Sequence, residues 1–183
     1  MSSSAPLTSQ PRIVVSGRFN HGTLKLNPVN LIAGTDAPAE FEPGEYTLTL
    51  VGERTATVSF GLNKVVDGDD DGHFSLVLPD VGNLSALELS RGDTVLARQF
   101  AGVAKAPQAT VKNVPGGIEV GWNAGDFKFA SVSHLGVDTR TTLQLWAEGG
   151  KTFVSTQGLE EAGGEWEVSL SDGVQSRRAV LAR

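Results

Sequence analysis

The stretch that decides the fold is GEWEVSLSDG, residues 164–173. Apolar side chains at Trp166, Val168 and Leu170 alternate with polar ones, and the run ends in an Asp-Gly pair. Because successive side chains of a strand point to opposite faces of its sheet, this period of two predicts a strand with one face in a core and the other in water. The Asp-Gly pair predicts a tight turn directly after the strand.

The same alternation recurs along nearly the whole chain, and no long stretch has a helical period. It is clear in EYTLTLV at 45–51 and in HFSLVL at 73–78, and a further strand is predicted at 94–100. Glycine-containing segments at 52–54 and 90–93 separate neighbouring runs and predict hairpins. The sequence therefore predicts an all-β protein.

The domain organisation follows from a weakly patterned segment, AGVAKAP at 101–107. About seven strands are predicted on either side of it, the usual number for one Ig-like β-sandwich. We therefore expect two tandem sandwich domains, at 11–104 and 107–183. Residues 1–10 lack the basic start and apolar core of a signal peptide, and are expected to form a disordered lead or linker. The alternative is a single extended sandwich or barrel over all 183 residues.

Composition and charge exclude several classes of partner. The chain has 15 basic and 21 acidic residues, a net charge of −6, and no cysteine, so disulfides and cysteine-based zinc sites are excluded. Both predicted domains are mildly acidic, which argues against nucleic acid as a partner. No stretch of about 18 apolar residues is present, so no membrane span is expected.

The start of the second half carries a family pattern. A proline at 107 precedes a short strand, and Ile118–Trp122 has the form apolar-x-Val-x-Trp. Later, a turn at 158–159 leads into the strand at 165–170. In these features the second half resembles a fibronectin type III domain, a family that usually has a tyrosine at the position of Trp166. The resemblance implies a sandwich fold and a domain of the kind that occurs as a module in larger proteins. It implies no activity.

The first half carries a second resemblance, at HFSLVLP (73–79) and TVLAR (94–98). The first half is similar to the β-sandwich modules that follow the catalytic domain in secreted bacterial enzymes, including zinc metallopeptidases. This resemblance implies a secreted or cell-envelope location. It also implies that a catalytic domain lies N-terminal to this piece in the same parent chain.

One loop has the spacing of a metal site. Asp67, Asp69 and Asp71 form a D-x-D-x-D-G pattern, in which alternate carboxylates can converge on Ca²⁺. An EF-hand needs a glutamate at the twelfth loop position, where this chain has Leu78 inside a predicted strand. The EF-hand interpretation therefore fails. A truncated calcium site and a plain acidic turn both stay open, so calcium is the one cofactor that the sequence suggests.

Motifs for catalysis are missing from the sequence. It has neither Gly-x-Ser-x-Gly nor His-Glu-x-x-His, and the three histidines, at 21, 73 and 134, are far apart. We interpret all three as surface or strand-end residues. The tripeptide Arg91–Asp93 spells an integrin-type motif at a predicted hairpin tip, which we interpret as chance. The sequence thus predicts a protein that is not an enzyme.

The three tryptophans divide into two groups. Trp122 and Trp166 are in phase with apolar neighbours, which predicts that they lie in the core. Trp146 is out of phase with Leu143 and Leu145, so we expect it to face outward and to form a contact surface.

The function expected from these features is that of a non-catalytic accessory, spacer or binding module of a larger extracellular or cell-envelope bacterial protein. Its partner would be a protein or a glycan. Two alternatives stay open. A carbohydrate-binding module would use exposed aromatic side chains, and a small stand-alone hydrolase would need a cleft with converging polar groups.

Overall fold

The computed structural model describes residues 12–32, 42–64, 71–103, 105–136, 139–159 and 164–182. Within these ranges the regular structure is β-strand in antiparallel sheets and no helix is found, so the all-β prediction is confirmed. No helix of the described part is long and apolar enough to cross a membrane. The predicted lead at 1–10 lies outside these ranges. The chain divides into two compact units, Met1–Gln99 and Phe100–Arg183.

Strands of the first unit are short and regular. Their bounds are β1 Arg12–Asn20, β2 Thr23–Leu26, β3 Asn30–Ile32, β4 Tyr46–Val51, β5 Thr55–Phe60, β6 Asn63–Lys64, β7 Gly72–Pro79, β8 Ala86–Arg91 and β9 Thr94–Phe100. One sheet has the order β2-β1-β7-β6, with β3 also paired to β1, and the other has the order β5-β4-β8-β9.

The core of the first unit lies between these two sheets. Phe19 on β1 contacts Tyr46 on β4, with ring centroids 5.1 Å apart. Phe74 on β7 contacts Phe60 on β5 in the same way, at 4.9 Å. Tilted aromatic pairs at such distances add to the free energy gained by burying their area. These contacts fix the two sheets face to face, as in a β-sandwich.

The second unit repeats this arrangement with fewer strands. Their bounds are β10 Ala109–Val114, β11 Gly117–Trp122, β12 Phe129–Leu135, β13 Arg140–Glu148, β14 Lys151–Ser155, β15 Glu165–Ser171 and β16 Ser176–Ala182. One sheet has the order β10-β11-β14 and the other the order β13-β12-β15-β16. A single hydrophobic cluster takes side chains from both sheets.

Two tryptophans occupy that cluster. Trp122 is 9% exposed and Trp166 is 1% exposed, which confirms the prediction that both lie in the core. The indole N–H of Trp122 donates to the carbonyl oxygen of Phe127 at 2.9 Å. This bond satisfies a donor that burial would otherwise leave unpaired.

The pairing between β12 and β13 is interrupted. Ala130 faces Ala147 and Val132 faces Gln144, so Leu145 and Trp146 together lie opposite Ser131 alone. Extra residues in one strand form a β-bulge, which bends the strand and turns side chains to new directions. The bulge explains the change of phase at Trp146 in the sequence.

Candidate functional site

The candidate site is the outer face of the sheet β13-β12-β15-β16. Core residues on β12 and β15 alternate with residues that point away from the core. We call this outward surface the serine face: Ser131, Ser133, Glu167 and Ser169, bordered by Arg140, Trp146 and Arg178. Its floor consists mostly of small hydroxyl side chains between larger ones.

A charged network crosses the serine face. Although Glu167 points away from the core, it is only 7% exposed. One carboxylate oxygen accepts a hydrogen bond from the guanidinium of Arg140 at 2.6 Å, and the other lies 3.8 Å from the guanidinium of Arg178. Arg140 reaches Glu167 across β12, which accounts for the 2% exposure of Ser133 there. A buried carboxylate is tolerated because cations lie beside it.

Trp146 borders the serine face in an unusual conformation. Its φ angle is 49°, its backbone N–H donates to the Ser131 hydroxyl at 3.2 Å, and its side chain is half-buried. Positive φ is an outlier for a bulky residue and costs about 1–3 kcal/mol. The indole nitrogen is buried with no hydrogen-bond partner in the described part of the chain, which adds a further cost. Two unfavourable features therefore coincide at one residue.

The expected outward contact of Trp146 stays a prediction. Its neighbour Leu145, in the same bulge, is 52% exposed. Sequence reasoning found Trp146 by its phase, but it missed the charged network around Glu167. Alternation predicts that Glu167 faces outward. It cannot predict that side chains from β13 and β16 cover Glu167.

The three histidines lie at separate places. His21 is in the exposed turn after β1 and His73 is exposed on β7, as expected for surface residues. His134 is next to the end of β12, but it is 6% exposed and its ring lies 5.1 Å from that of Trp166. The strand-end interpretation of His134 is confirmed, and its side chain is buried because the core side of the strand extends to that position.

Most of the predicted calcium loop lies outside the described residues, including Asp67 and Asp69. Asp71 is described, and its carboxylate accepts the backbone N–H of His21 at 2.5 Å. Among the described residues no group of three metal-binding side chains is found. Calcium binding stays a prediction. A thermal melt with calcium against chelator tests it, and an unchanged midpoint would remove it.

The integrin-type tripeptide lies beside a cleft of about 310 Å³ in the first unit. Arg91 donates to the Glu45 carboxylate at 2.7 Å, and its guanidinium lies 5.6 Å from the centre of the Tyr46 ring. Lys64 also lines this cleft. The arginine of the tripeptide is therefore held against its own sheet.

Comparison with known proteins leaves the site to be interpreted on its own chemistry. A scan against protein-family models finds no match to this chain, and a search of curated proteins finds none either.

Proposed function

We propose that this chain is a non-catalytic accessory module of a larger extracellular or cell-envelope bacterial protein. It consists of two tandem Ig-like β-sandwiches, the second of fibronectin type III character, and it binds a partner on the serine face. The seven strands of the second unit, in sheets of three and four, support the Ig-like assignment. The accessory role and the location are supported by the resemblances at 73–79, 94–98 and 107–122.

The observation that carries the binding role is the conformation of Trp146. A left-handed backbone and an indole N–H without a partner lower the stability of the fold. Such costs concentrate where a side chain must be held in place for recognition. The rigid sheet behind Trp146 supplies that support.

The chemistry of the serine face favours a glycan over a protein. Sugars bind through stacking of their C–H faces on aromatic rings and through hydrogen bonds to planar polar groups. Trp146 supplies the aromatic ring, and the guanidinium groups of Arg140 and Arg178 with the Glu167 carboxylate supply fixed planar groups. Hydroxyls of Ser131 and Ser169 lie between them. A glycan is therefore the partner that these side chains fit best.

Substitution at Trp146 tests this proposal, with binding read on a glycan array. We expect both Trp146→Gly and Trp146→Ala to lose the signals that the wild-type chain gives with uncharged glycans on the array. Glycine adopts φ of 49° freely, so the Gly variant should be more stable than the Ala variant by about 1 kcal/mol in urea unfolding. The two variants should therefore lose binding alike and differ in their free energy of unfolding.

Each outcome has a definite meaning. Signals from uncharged glycans that survive in both variants would remove the serine face as the glycan site. A wild-type chain that binds no glycan on the array would overturn the glycan proposal. Equal stability of the two variants would contradict the strained backbone at position 146.

A further inference from the structure

A second aromatic surface lies on the other sheet of the second unit, β10-β11-β14. Phe153 on β14 is 56% exposed and stands opposite Glu119 on β11. Ile118 and Val120 fill the core, so the outward positions of β11 are Gly117, Glu119 and Gly121. On the outward surface of β11, Glu119 therefore has a position without a side chain on either side.

The ring of Phe153 lies along the sheet instead of standing upright. Its Cζ and Cε2 atoms come within 2.9 and 3.0 Å of the point where a Cβ on Gly117 would be. Gly117 is on the neighbouring strand, opposite Ser155, so the ring tip has crossed from β14 to β11. Because position 117 has no side chain, the ring can rest on the backbone there. The Phe153 ring is therefore exposed to solvent and lies against the surface of the sheet.

Three charged side chains lie on the same face of this sheet. Lys112 on β10 lies opposite Glu119, and the Lys151 ammonium lies 2.7 Å from the Glu119 carboxylate. Lys151 is on the same strand and face as Phe153, two residues away. We call Phe153, Lys112, Glu119 and Lys151 the phenylalanine platform. Its charge is +1, in a chain whose net charge is −6.

We propose that the phenylalanine platform binds a uronic acid residue of an acidic polysaccharide. The pyranose ring stacks on Phe153, its carboxylate lies toward Lys112 and Lys151, and Glu119 accepts a hydrogen bond from a sugar hydroxyl. This proposal concerns a different sheet from the serine face and does not depend on the function proposed there.

A sugar fits the platform better than an acidic peptide does. A pyranose presents a flat face of C–H groups, whose positive edge matches the negative face of an aromatic ring. Neighbouring strands are about 4.8 Å apart, so the Cα atoms of Lys112 and Phe153, two strands apart, are about 10 Å from each other. The long lysine side chain can span that distance to a carboxylate on a stacked ring. An acidic peptide would use the two lysines and leave the ring without a matching surface.

The test is a titration of the full chain with an oligogalacturonate, followed by calorimetry or NMR. We expect Phe153→Ala to weaken binding roughly tenfold or more, because the stacking surface is lost. Phe100→Ala is the matched control, since Phe100 is also an exposed phenylalanine, at 69%, and it should leave binding unchanged. Lys112→Glu should weaken binding, and so should added salt, because exposed charges are screened.

Several results would overturn the proposal. One is a wild-type chain that does not bind the oligogalacturonate. Another is equal binding of polyglutamate with no effect of Phe153→Ala, which would indicate attraction by charge alone. Binding that is lost in Trp146→Gly but kept in Phe153→Ala would assign the oligogalacturonate to the serine face instead. A shift in the thermal midpoint of Phe153→Ala would be checked against Phe153→Leu, which keeps an apolar side chain and loses the ring.

Discussion

Replacing Trp166 with alanine is expected to lower the free energy of unfolding of the second unit by about 3–5 kcal/mol. Trp166 is 1% exposed and belongs to the hydrophobic cluster that joins the two sheets. Removing the indole leaves a cavity that the surrounding strands cannot close, because β15 is paired on both sides. The loss should exceed that of any single surface substitution in this unit.

Tryptophan fluorescence during urea unfolding measures this effect. All three tryptophans lie in the second unit, and the single tyrosine, Tyr46, lies in the first, so the tryptophan signal reports the second unit alone. Trp166→Phe is the matched control. It keeps an aromatic ring and removes a buried indole N–H that has no partner among the described residues, so it should cost less than half as much. A loss below about 1 kcal/mol in Trp166→Ala would contradict the packed core.

Removing both arginines around Glu167 is the second large effect. We expect the double variant Arg140→Ala/Arg178→Ala to lose about 2–4 kcal/mol, because a buried carboxylate is left without a cation. Both arginine side chains are about half exposed, at 51% and 53%, so their removal also admits water. We therefore place the loss slightly below the usual range for breaking a fully buried ion pair.

A change at Glu167 separates charge from packing. Glu167→Gln in the double variant should recover most of the lost stability, because the neutral amide is less costly to bury than a carboxylate. In the wild-type background the same substitution should cost about 1 kcal/mol or less, since both arginines still reach water. A double variant as stable as wild type would show that Glu167 is hydrated, against the burial described above.

Alternation predicted the strands well wherever one face is buried and the other is wet. The runs at 45–51 and 165–170 differ from β4 and β15 by one residue. The strand predicted at 94–100 coincides with β9, although none of its residues is buried. The two-residue strand β6 was not predicted, because Asn63 and Lys64 carry no apolar alternation. Its pairing comes from β7 beside it.

The candidate sites were less predictable, since they depend on what lies across neighbouring strands. A change of phase marked Trp146, but the φ angle that holds it follows from the register of β12 against β13. Glu167 looked like an ordinary outward residue, and only the register places Arg140 and Arg178 beside it. The sequence did not mark Phe153 as a candidate, because the position of its ring depends on the absence of a side chain at Gly117 on the neighbouring strand.

Glycan binding on the serine face is tested most directly by the indole N–H signals in a ¹⁵N–¹H spectrum. Three signals are expected, and Trp146→Phe assigns the one from Trp146. On titration with a glycan selected on the array, the Trp146 signal should shift and saturate. The signals of Trp122, bonded to the Phe127 carbonyl, and of buried Trp166 should stay in place. A Trp146 signal that does not move when the glycan saturates the chain would contradict the account.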